Sequence, residues 1–439
     1  MRTLVLALGT LVSIATFVAC SADNQQLGFG DGGGGSGATG GATSTGTGGG
    51  PGLGGFTNTG GGTSSGGTTC DSGDTEDKDK DGWTKVDGDC NDCDPNVNPA
   101  AVEVVDDGAG GGGGALAPSD EDCDGMVDNV QQPCDAALAV DDADPMSAAK
   151  AVELCKVAAG PKDSGVVSAK WVLPGGTDPA TIVTNPPFPL ANFHLGHGVL
   201  AAFGPNVNVQ AGGRMLGLSS GSARQPTDPG YMDVGGFSKG YTSGHPQGFP
   251  KESPACPGVT TGEPHDGTGV ELTIRVPSNA HGFSFNFDFY TYEWPGYVCS
   301  MFNDFFVALL TPIPANQLDG NISFDSQGNP VSVNNAFVEV CGCAGGPPCN
   351  AGGKTFTCPL GTTELQGTGF GLDTGYADHG ATSWLQTKAP ADPNTEITIR
   401  WAVYDSGDGV LDSTTLVDNW QWIAEPGTTV GTDPVPDPK

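Results

Sequence analysis

The stretch Phe283-Ser284-Phe285-Asn286-Phe287-Asp288-Phe289-Tyr290 alternates phenylalanines with three polar residues and a tyrosine. Because successive side chains of a β-strand point to opposite faces, this period of two predicts a half-buried strand with one apolar face. The same period recurs in residues 270–276, 397–403 and 416–422, with Gly, Pro, Asn or Asp between the runs. Such strands, joined by long loops, predict two sheets packed face to face.

The composition agrees with a β fold, since the 439 residues include 72 glycines and 34 prolines. One segment favours a helix: Asp144 can cap it, Pro145 can begin it, and Met146 to Ala159 contains neither Gly nor Pro. We therefore predict a mainly β fold. It consists of a jelly-roll-like β-sandwich preceded by a small Asp-rich calcium-binding module, one short helix and a disordered Gly/Ser/Thr-rich N-terminal tether.

The N-terminus has the pattern of a bacterial export signal. Arg2 precedes an apolar run from Leu4 to Ala19, which is too short to span a bilayer permanently. Ala19-Cys20 resembles the lipobox of lipoprotein signal peptides, which would make Cys20 a lipidated residue, and Ser21 then suits the outer membrane or cell surface. Cleavage near Ala22, giving a freely secreted protein, is the alternative. The predicted segments are a signal peptide at 1–19, the lipidated cysteine and flexible linker at 20–69, an Asp/Cys-rich metal-binding module at 70–134, a β-sandwich domain at 135–424 and a disordered tail at 425–439.

The charge is strongly negative and unevenly placed. There are 51 acidic and 17 basic residues, a net charge of -34, which disfavours nucleic acid and anionic lipid as partners. Residues 71–144 alone hold 22 acidic residues and three lysines. A folded segment of this density needs counter-ions, whereas a solvated acidic tail would not; the ordered Asp spacing favours bound cations.

Two loops carry a calcium pattern, Asp77-Lys78-Asp79-Lys80-Asp81-Gly82 and Asp120-Glu121-Asp122-Cys123-Asp124-Gly125. Alternate carboxylates followed by glycine let a short loop surround a hard cation with oxygen atoms. The twelfth position of the first loop is Gly88 instead of a bidentate Glu, so neither a regular EF-hand nor high affinity is expected. The predicted ligands are Asp77, Asp79, Asp81, the Trp83 carbonyl, Asp87, Asp89, Asp92, Asp94, Asp120, Asp122, Asp124 and Asp128.

A third candidate calcium site consists of Asp405, Asp408 and Asp412, with Asp304 or Asp418 as additional ligands. The alternative is that these aspartates stabilise turns by accepting hydrogen bonds from backbone N–H groups.

Thirteen cysteines, less a lipidated Cys20, leave an even number in an exported chain, which predicts disulfides. Soft-metal binding by Cys90 and Cys93, or by Cys341 and Cys343, is the alternative. The expected pairing is local: Cys134 with Cys155, Cys256 with Cys299, two bridges among Cys70, Cys90, Cys93 and Cys123, and two among Cys341, Cys343, Cys349 and Cys358.

Sequence signals for an enzyme are weak. Gly217-Leu218-Ser219-Ser220-Gly221 fits the Gly-x-Ser-x-Gly pattern, but the prolines that follow exclude the helix of a nucleophile elbow. His194 and His197 lie three apart without the Glu of a zinc protease. We predict no catalytic residues and no cofactor other than Ca²⁺.

Two resemblances follow from these motifs. Residues 77–128 resemble a metal-binding motif of secreted bacterial proteins and thrombospondin type 3 repeats, through the Asp loops, Asp94-Pro95, Asn98-Pro99 and Glu103. Residues 148–424 resemble the choice-of-anchor L domain of bacterial surface proteins. The matching segments are Phe285 to Pro295, Phe302-Asn303-Asp304-x-Phe306, Gly328 to Asn335 and Asp405-Ser406-Gly407-Asp408-x-x-x-Asp412-Ser413. The second resemblance implies surface location and a β fold, and implies no reaction.

The sequence thus predicts a non-enzymatic calcium-binding surface lipoprotein with a structural, adhesion or interaction role. A glycan-binding module, using Trp294 or Trp384, is the alternative, and a secreted hydrolase is a third possibility.

Overall fold

The computed structural model describes residues 71–104, 119–129, 131–182, 190–335, 337–371, 379–436 and 438. The predicted signal peptide, the lipidated Cys20, the linker at 20–69 and Cys70 lie outside these residues.

The described residues are mainly β, as predicted, with fourteen strands and two six-residue α-helices. The helices are α1 (Pro145–Lys150) and α2 (Leu190–Leu195). The strands are β1 (Gly165–Val172), β2 (His197–Leu200), β3 (Met215–Ser219), β4 (Pro264–Arg275), β5 (Gly282–Thr291), β6 (Phe305–Thr311), β7 (Val331–Ser332), β8 (Cys349–Ala351), β9 (Lys354–Phe356), β10 (Gly380–Ala381), β11 (Leu385–Pro390), β12 (Glu396–Ser406), β13 (Ser413–Ile423) and β14 (Gly431–Pro434).

The strands form two large antiparallel sheets and a small hairpin. One sheet has the order β1-β4-β12-β6-β7, and the other has the order β14-β11-β5-β13-β3-β2, with β10 also paired to β5. β8 and β9 form the hairpin. The main core contains the inward side chains of both sheets, among them Phe285 and Phe287 of β5 and Trp401 of β12. Burial of these aromatic side chains is the main force that joins the sheets.

Strand β5 is buried on both faces, although the alternation predicts a half-buried strand. All ten of its residues are buried. The reason is a second apolar cluster, formed by Tyr290 of β5 with Phe203, Phe370 and Trp384, which covers the face turned away from the main core. Loop segments supply that cover, so the period of two identifies the strand without revealing the burial of its polar face.

Strand β13 changes face along its length. Its register against β5 shifts between Asp418 and Gln421, and Asn419 has a positive φ of 54°. Leu416 therefore packs in the second cluster and Trp420 in the main core. The simple alternation predicted for 416–422 is wrong at this point, because a β-bulge inserts an extra residue.

The predicted helix from Met146 to Ala159 ends early. α1 stops at Lys150, and Glu153 takes a positive φ of 72°. Beyond it the chain runs beside β1, where Ala158 N donates to Val166 O at 3.0 Å. Tertiary pairing therefore overrides local helix propensity. α2 was not predicted, and no helix of the described residues is long and apolar enough to cross a membrane.

The predicted disordered tail at 425–439 contains an edge strand. β14 pairs with β11, with Thr432 opposite Thr387 at a side-chain oxygen distance of 2.8 Å. Its composition of Gly, Thr, Asp and Pro conceals the strand, because backbone pairing to a preformed edge needs little apolar side chain.

Disulfides cross-link the loops in the expected local pattern. Cys134 pairs with Cys155 and Cys256 with Cys299, and Cys93 is also disulfide-bonded. The remaining described bridges are Cys90–Cys123, Cys341–Cys358 and Cys343–Cys349.

Candidate metal centre

The first Asp-rich loop is shaped by its own carboxylates. Asp77 accepts hydrogen bonds from the backbone N–H groups of Lys80 at 2.7 Å and Gly82 at 3.2 Å, and Asp81 accepts one from Trp83 N at 2.7 Å. Gly82 has a φ of 96°, which favours glycine. Asp77, Asp79 and Asp81 each offer an oxygen atom within 4.8 Å of those of the others.

A second group shares Asp79 with this loop. The ligand oxygens of Asp79, Asp89 and Asp92 also lie within 4.8 Å of one another. Each carboxylate uses Oδ1 to accept a backbone N–H: Asp79 from Asp81, Asp89 from Asn91 and Asp92 from Lys78. Each Oδ2 is buried and has no hydrogen-bond partner in the described part of the chain. Three carboxylates grouped in this way offer the hard oxygen atoms that calcium prefers.

Asp79 and Asp89 of this group, and Asp81 beside it, have raised pKa values. Burial, followed by the nearby carboxylates of Asp81, Asp79 and Asp92, raises the pKa of Asp89 to about 6, against the opposing hydrogen bond from Asn91. Burial likewise raises the pKa of Asp79 and Asp81. The adjacent lysines do little to neutralise these carboxylates, because their ammonium groups bind backbone oxygens. Lys78 Nζ donates to the carbonyl of Asp71, and Lys85 Nζ donates to the carbonyl of Ser72.

The second loop forms two further groups, and both include a residue that was not among the predicted ligands. Glu103 groups with Asp120 and Asp122, and also with Glu121 and Asp128. Glu103 Oε2 and Asp120 Oδ1 are buried without a partner among the described residues. Burial is the first cause that raises the pKa of Glu103 and of Asp122. Glu103 belongs to the resembling motif, which was the signal that could have identified it.

Three of the predicted carboxylate ligands, Asp87, Asp94 and Asp124, lie outside these groups. Asp87 is exposed and binds Lys162 at 3.2 Å, and Asp94 accepts from Asn96. Asp124 accepts from Met126 N and Asn129 Nδ2. The Trp83 backbone N–H donates to Asp81, and Lys162 lies over the Trp83 ring at 5.5 Å.

Asn98 links the first loop to the sandwich. Its side chain is fully buried. Asn98 Nδ2 donates to Asp81 Oδ2 at 2.8 Å, and Asn98 Oδ1 accepts from Ser278 Oγ at 2.8 Å. Ser278 lies in the turn between β4 and β5. The next residue, Asn279, exchanges two hydrogen bonds with the backbone of Val102, so the module is fixed to that turn.

The third predicted site is only partly assembled. Asp405 and Asp412 are fully buried, whereas Asp408 is half-buried and accepts from Val410 N, as in the turn-stabilising alternative. Asp304 lies beside Asp405 and accepts from Ser413 Oγ at 2.6 Å. Asp418 is used elsewhere, since its carboxylate accepts from the N–H groups of Gln210 and Asn419.

Sequence reasoning missed the buried charged side chains near these carboxylates. Lys239 is fully buried; its Nζ donates to Ser219 O at 3.0 Å and Thr268 Oγ1 at 2.6 Å, and burial lowers its pKa to about 8. Asp266 accepts from the backbone N–H groups of Lys239 and Tyr241. An isolated Lys and an isolated Asp gave no sequence signal for this arrangement.

The residues of the two enzyme-like motifs are held by packing contacts and hydrogen bonds. Ser219 is fully buried, and its Oγ donates to Ser413 O and accepts from Thr414 Oγ1. His194 Nδ1 lies 2.8 Å from His197 Nε2, and the His197 ring stacks on Trp171 with centroids 3.7 Å apart. Burial holds the pKa of His197 well below its usual value. These are packing contacts, and they do not set Ser219 as a nucleophile beside a histidine base.

A cavity of about 480 Å³ lies where the module, the Cys134–Cys155 bridge and β13 meet. Trp420 and Trp422 form part of its wall, with the amide side chains of Gln210 and Gln421. The buried atoms Glu153 Oε1, Ser164 Oγ and Trp420 Nε1 have no hydrogen-bond partner among the described residues.

Comparison with known proteins gives one match. No curated protein and no solved structure is significantly similar to the chain. The match covers strands β4 to β12 and most of β13. It includes Asp304, Asp405 and Asp412, which lie at one edge of the sandwich. Residues 259–419 match the family model of the Choice-of-anchor L domain, in agreement with the predicted resemblance.

Proposed function

We propose that the chain is a non-enzymatic calcium-binding surface lipoprotein of a bacterium, with a structural, adhesion or interaction role. The Choice-of-anchor L match supports a surface-associated, non-catalytic role. Export and attachment at the outer membrane through a lipidated Cys20 follow from the N-terminal sequence, and the partner would be a protein or a glycan.

The observation that carries the calcium proposal is the group of Asp79, Asp89 and Asp92. Three partnerless Oδ2 atoms, in side chains that are partly or fully buried, are costly unless they are protonated or bind a cation. Calcium suits them, because it accepts six to eight oxygen ligands in a flexible geometry. Bound Ca²⁺ would keep Asp81 and Asn98 in place and so stabilise the contact between module and sandwich.

Calcium titration of the full chain tests this proposal. At about 10 mM Ca²⁺, a site with a dissociation constant of about 10⁻⁴ to 10⁻³ M stabilises the fold by about 1.4–2.7 kcal/mol. The double change Asp89→Asn and Asp92→Asn should remove one such increment in thermal melts with Ca²⁺ and with chelator. The matched control is Asp87→Asn, which alters an exposed aspartate outside the group. This variant should keep the full stabilisation by Ca²⁺. Identical melting temperatures of the unaltered chain in Ca²⁺ and in chelator would contradict the calcium proposal.

A glycan-binding role remains the second candidate, and the cavity beside β13 favours it. Trp294 and Trp384, the predicted platforms, are both buried and cannot stack on a sugar. Trp422 is half-buried and lines the cavity beside Gln421, which gives the mixture of aromatic and amide groups that suits a saccharide.

The test of this second candidate is a glycan array probed with the full chain. Trp422→Ala should weaken any bound signal at least tenfold, whereas Trp83→Ala, at a half-buried tryptophan of the module, should leave it unchanged. No signal, or equal losses from both variants, would exclude the cavity as a glycan site.

A further inference from the structure

Asp304, Asp405 and Asp412 lie near one another because β6 and β13 begin, and β12 ends, at the same edge of the sandwich. Asp304 immediately precedes β6, Asp405 is the second-last residue of β12, and Asp412 immediately precedes β13. Tyr404 of β12 pairs with Phe305 of β6, which brings the neighbouring Asp405 and Asp304 together. The turn after β12 carries the chain to the opposite sheet and delivers Asp412.

These side chains are excluded from water, and two of them lack regular hydrogen bonds within the described part of the chain. All three are buried to within 1 % exposure. Asp304 is the exception in hydrogen bonding, since it accepts from Ser406 N at 3.3 Å and from Ser413 Oγ at 2.6 Å. Neither oxygen of Asp405 nor of Asp412 makes a regular hydrogen bond within the described residues, although Ser220 and Asp304 lie beside Asp405. The fully buried Asn303, next to Asp304 in the sequence, has an amide oxygen and an amide nitrogen that both lack a hydrogen-bond partner among the described residues.

The nearby base does not balance this charge. The Lys239 ammonium lies close enough to Asp412 to act on it electrostatically, but its hydrogen bonds go to Ser219 O and Thr268 Oγ1. Glu293 adds another buried acid, which accepts from Asp304 N at 3.1 Å. A buried region with more acids than bases requires either protons or a bound cation.

Gly221 is fitted to this arrangement. A Cβ added to Gly221 would stand 1.7 Å from Asp412 Oδ2 and 2.8 Å from Asp412 Oδ1. Glycine at this position therefore makes room for the Asp412 carboxylate, and any larger residue would displace it.

We propose that Asp304, Asp405 and Asp412 hold a divalent cation, with Ca²⁺ as the preferred ion, inside the Choice-of-anchor L domain. The site goes beyond the proposed calcium centre, since it shares no residue with the module. The oxygen atoms of these three carboxylates are not grouped within 4.8 Å as those of the module are, so the ion would also need oxygen ligands from neighbouring hydroxyl groups. Ser413 Oγ lies 2.6 Å from Asp304 Oδ2, and Ser220 Oγ lies 2.9 Å from Ser413 N. Hard oxygen donors of this type select Ca²⁺ over softer metals.

The test is a count of bound calcium in the full chain after equilibrium dialysis against about 10 mM Ca²⁺, a concentration above the expected dissociation constants, with metal content measured by mass spectrometry. The double change Asp405→Asn and Asp412→Asn should remove one equivalent and lower the melting temperature in Ca²⁺. Asp408→Asn, in the same turn but outside the cluster, is the matched control and should retain the full count. Asp89→Asn with Asp92→Asn should lose only module calcium, so the two proposals fail separately.

Gly221→Ala serves as a second variant in case the double change prevents folding. It leaves all carboxylates present, displaces Asp412, and should also lose one equivalent while circular dichroism still shows the β fold. An unchanged calcium count in either folded variant would overturn the core site and assign protons to the carboxylates.

Discussion

Replacing Trp401 by alanine is expected to lower the free energy of unfolding by about 3–5 kcal/mol. Trp401 lies on β12 and is fully buried. Its ring meets Phe285 of the opposite sheet edge-on, at 5.3 Å between centroids, and Trp420 at 6.1 Å. The side chain therefore joins the two sheets, and alanine leaves a large cavity that rigid strands cannot close. Urea denaturation followed by fluorescence and circular dichroism measures the loss.

Trp422→Ala is the matched control for Trp401. Trp422 is half-buried at the end of β13 and touches Phe283 at the edge of the core, with centroids 6.4 Å apart. We expect a loss of about 1 kcal/mol, since the site can relax towards solvent. Equal losses from both variants would contradict the role of Trp401 as the aromatic link between the sheets.

Replacing Asn98 by alanine is expected to cost about 2–4 kcal/mol and to weaken calcium binding by the module. The amide joins Asp81 to Ser278, and its Oδ1 also accepts from Ala100 N at 3.0 Å. Removing it leaves buried polar groups unsatisfied and frees Asp81 to rotate. Thermal melts measure the stability loss, and the calcium midpoint measures the effect on affinity.

The control for Asn98 is Asn96→Ala. Asn96 is exposed two residues earlier and donates only to Asp94 in the described contacts of its side chain. It should change stability by less than about 0.5 kcal/mol. Limited proteolysis adds a direct readout, since Asn98→Ala should speed cleavage within residues 71–104 in Ca²⁺. A calcium midpoint unchanged by Asn98→Ala would show that the metal loops and the sandwich are not coupled.

Local patterns sufficed for much of this molecule. Phe283, Phe285, Phe287 and Phe289 are all buried on one strand, as their period predicts. The cysteines pair with near neighbours in the sequence, because short loops bring them together most readily. The Asp-x-Asp-x-Asp-Gly loops bring carboxylates together because each aspartate orders its own turn through backbone N–H groups.

Other features depended on contacts between distant segments. The helix after Pro145 stops because the chain must run beside β1, and Gly431–Pro434 becomes a strand because β11 offers a free edge. Glu103 joins the Asp120 loop after the Cys90–Cys123 bridge brings the two segments together. None of these outcomes can be read from a window of a few residues, since each partner lies outside that window.

The sequence by itself therefore determined the four strands with a clear side-chain period, the acidic loops and the predominance of β structure, because side-chain period and turn chemistry act over a few residues. Only the tertiary structure decided which acids share a buried space. It separated Asp408 and Asp418 from Asp405 and Asp412, kept Asp304 beside them, and placed Lys239 nearby. The reason is physical: the need for a counter-ion arises from the exclusion of water, and burial is a property of the packed sheets as a whole.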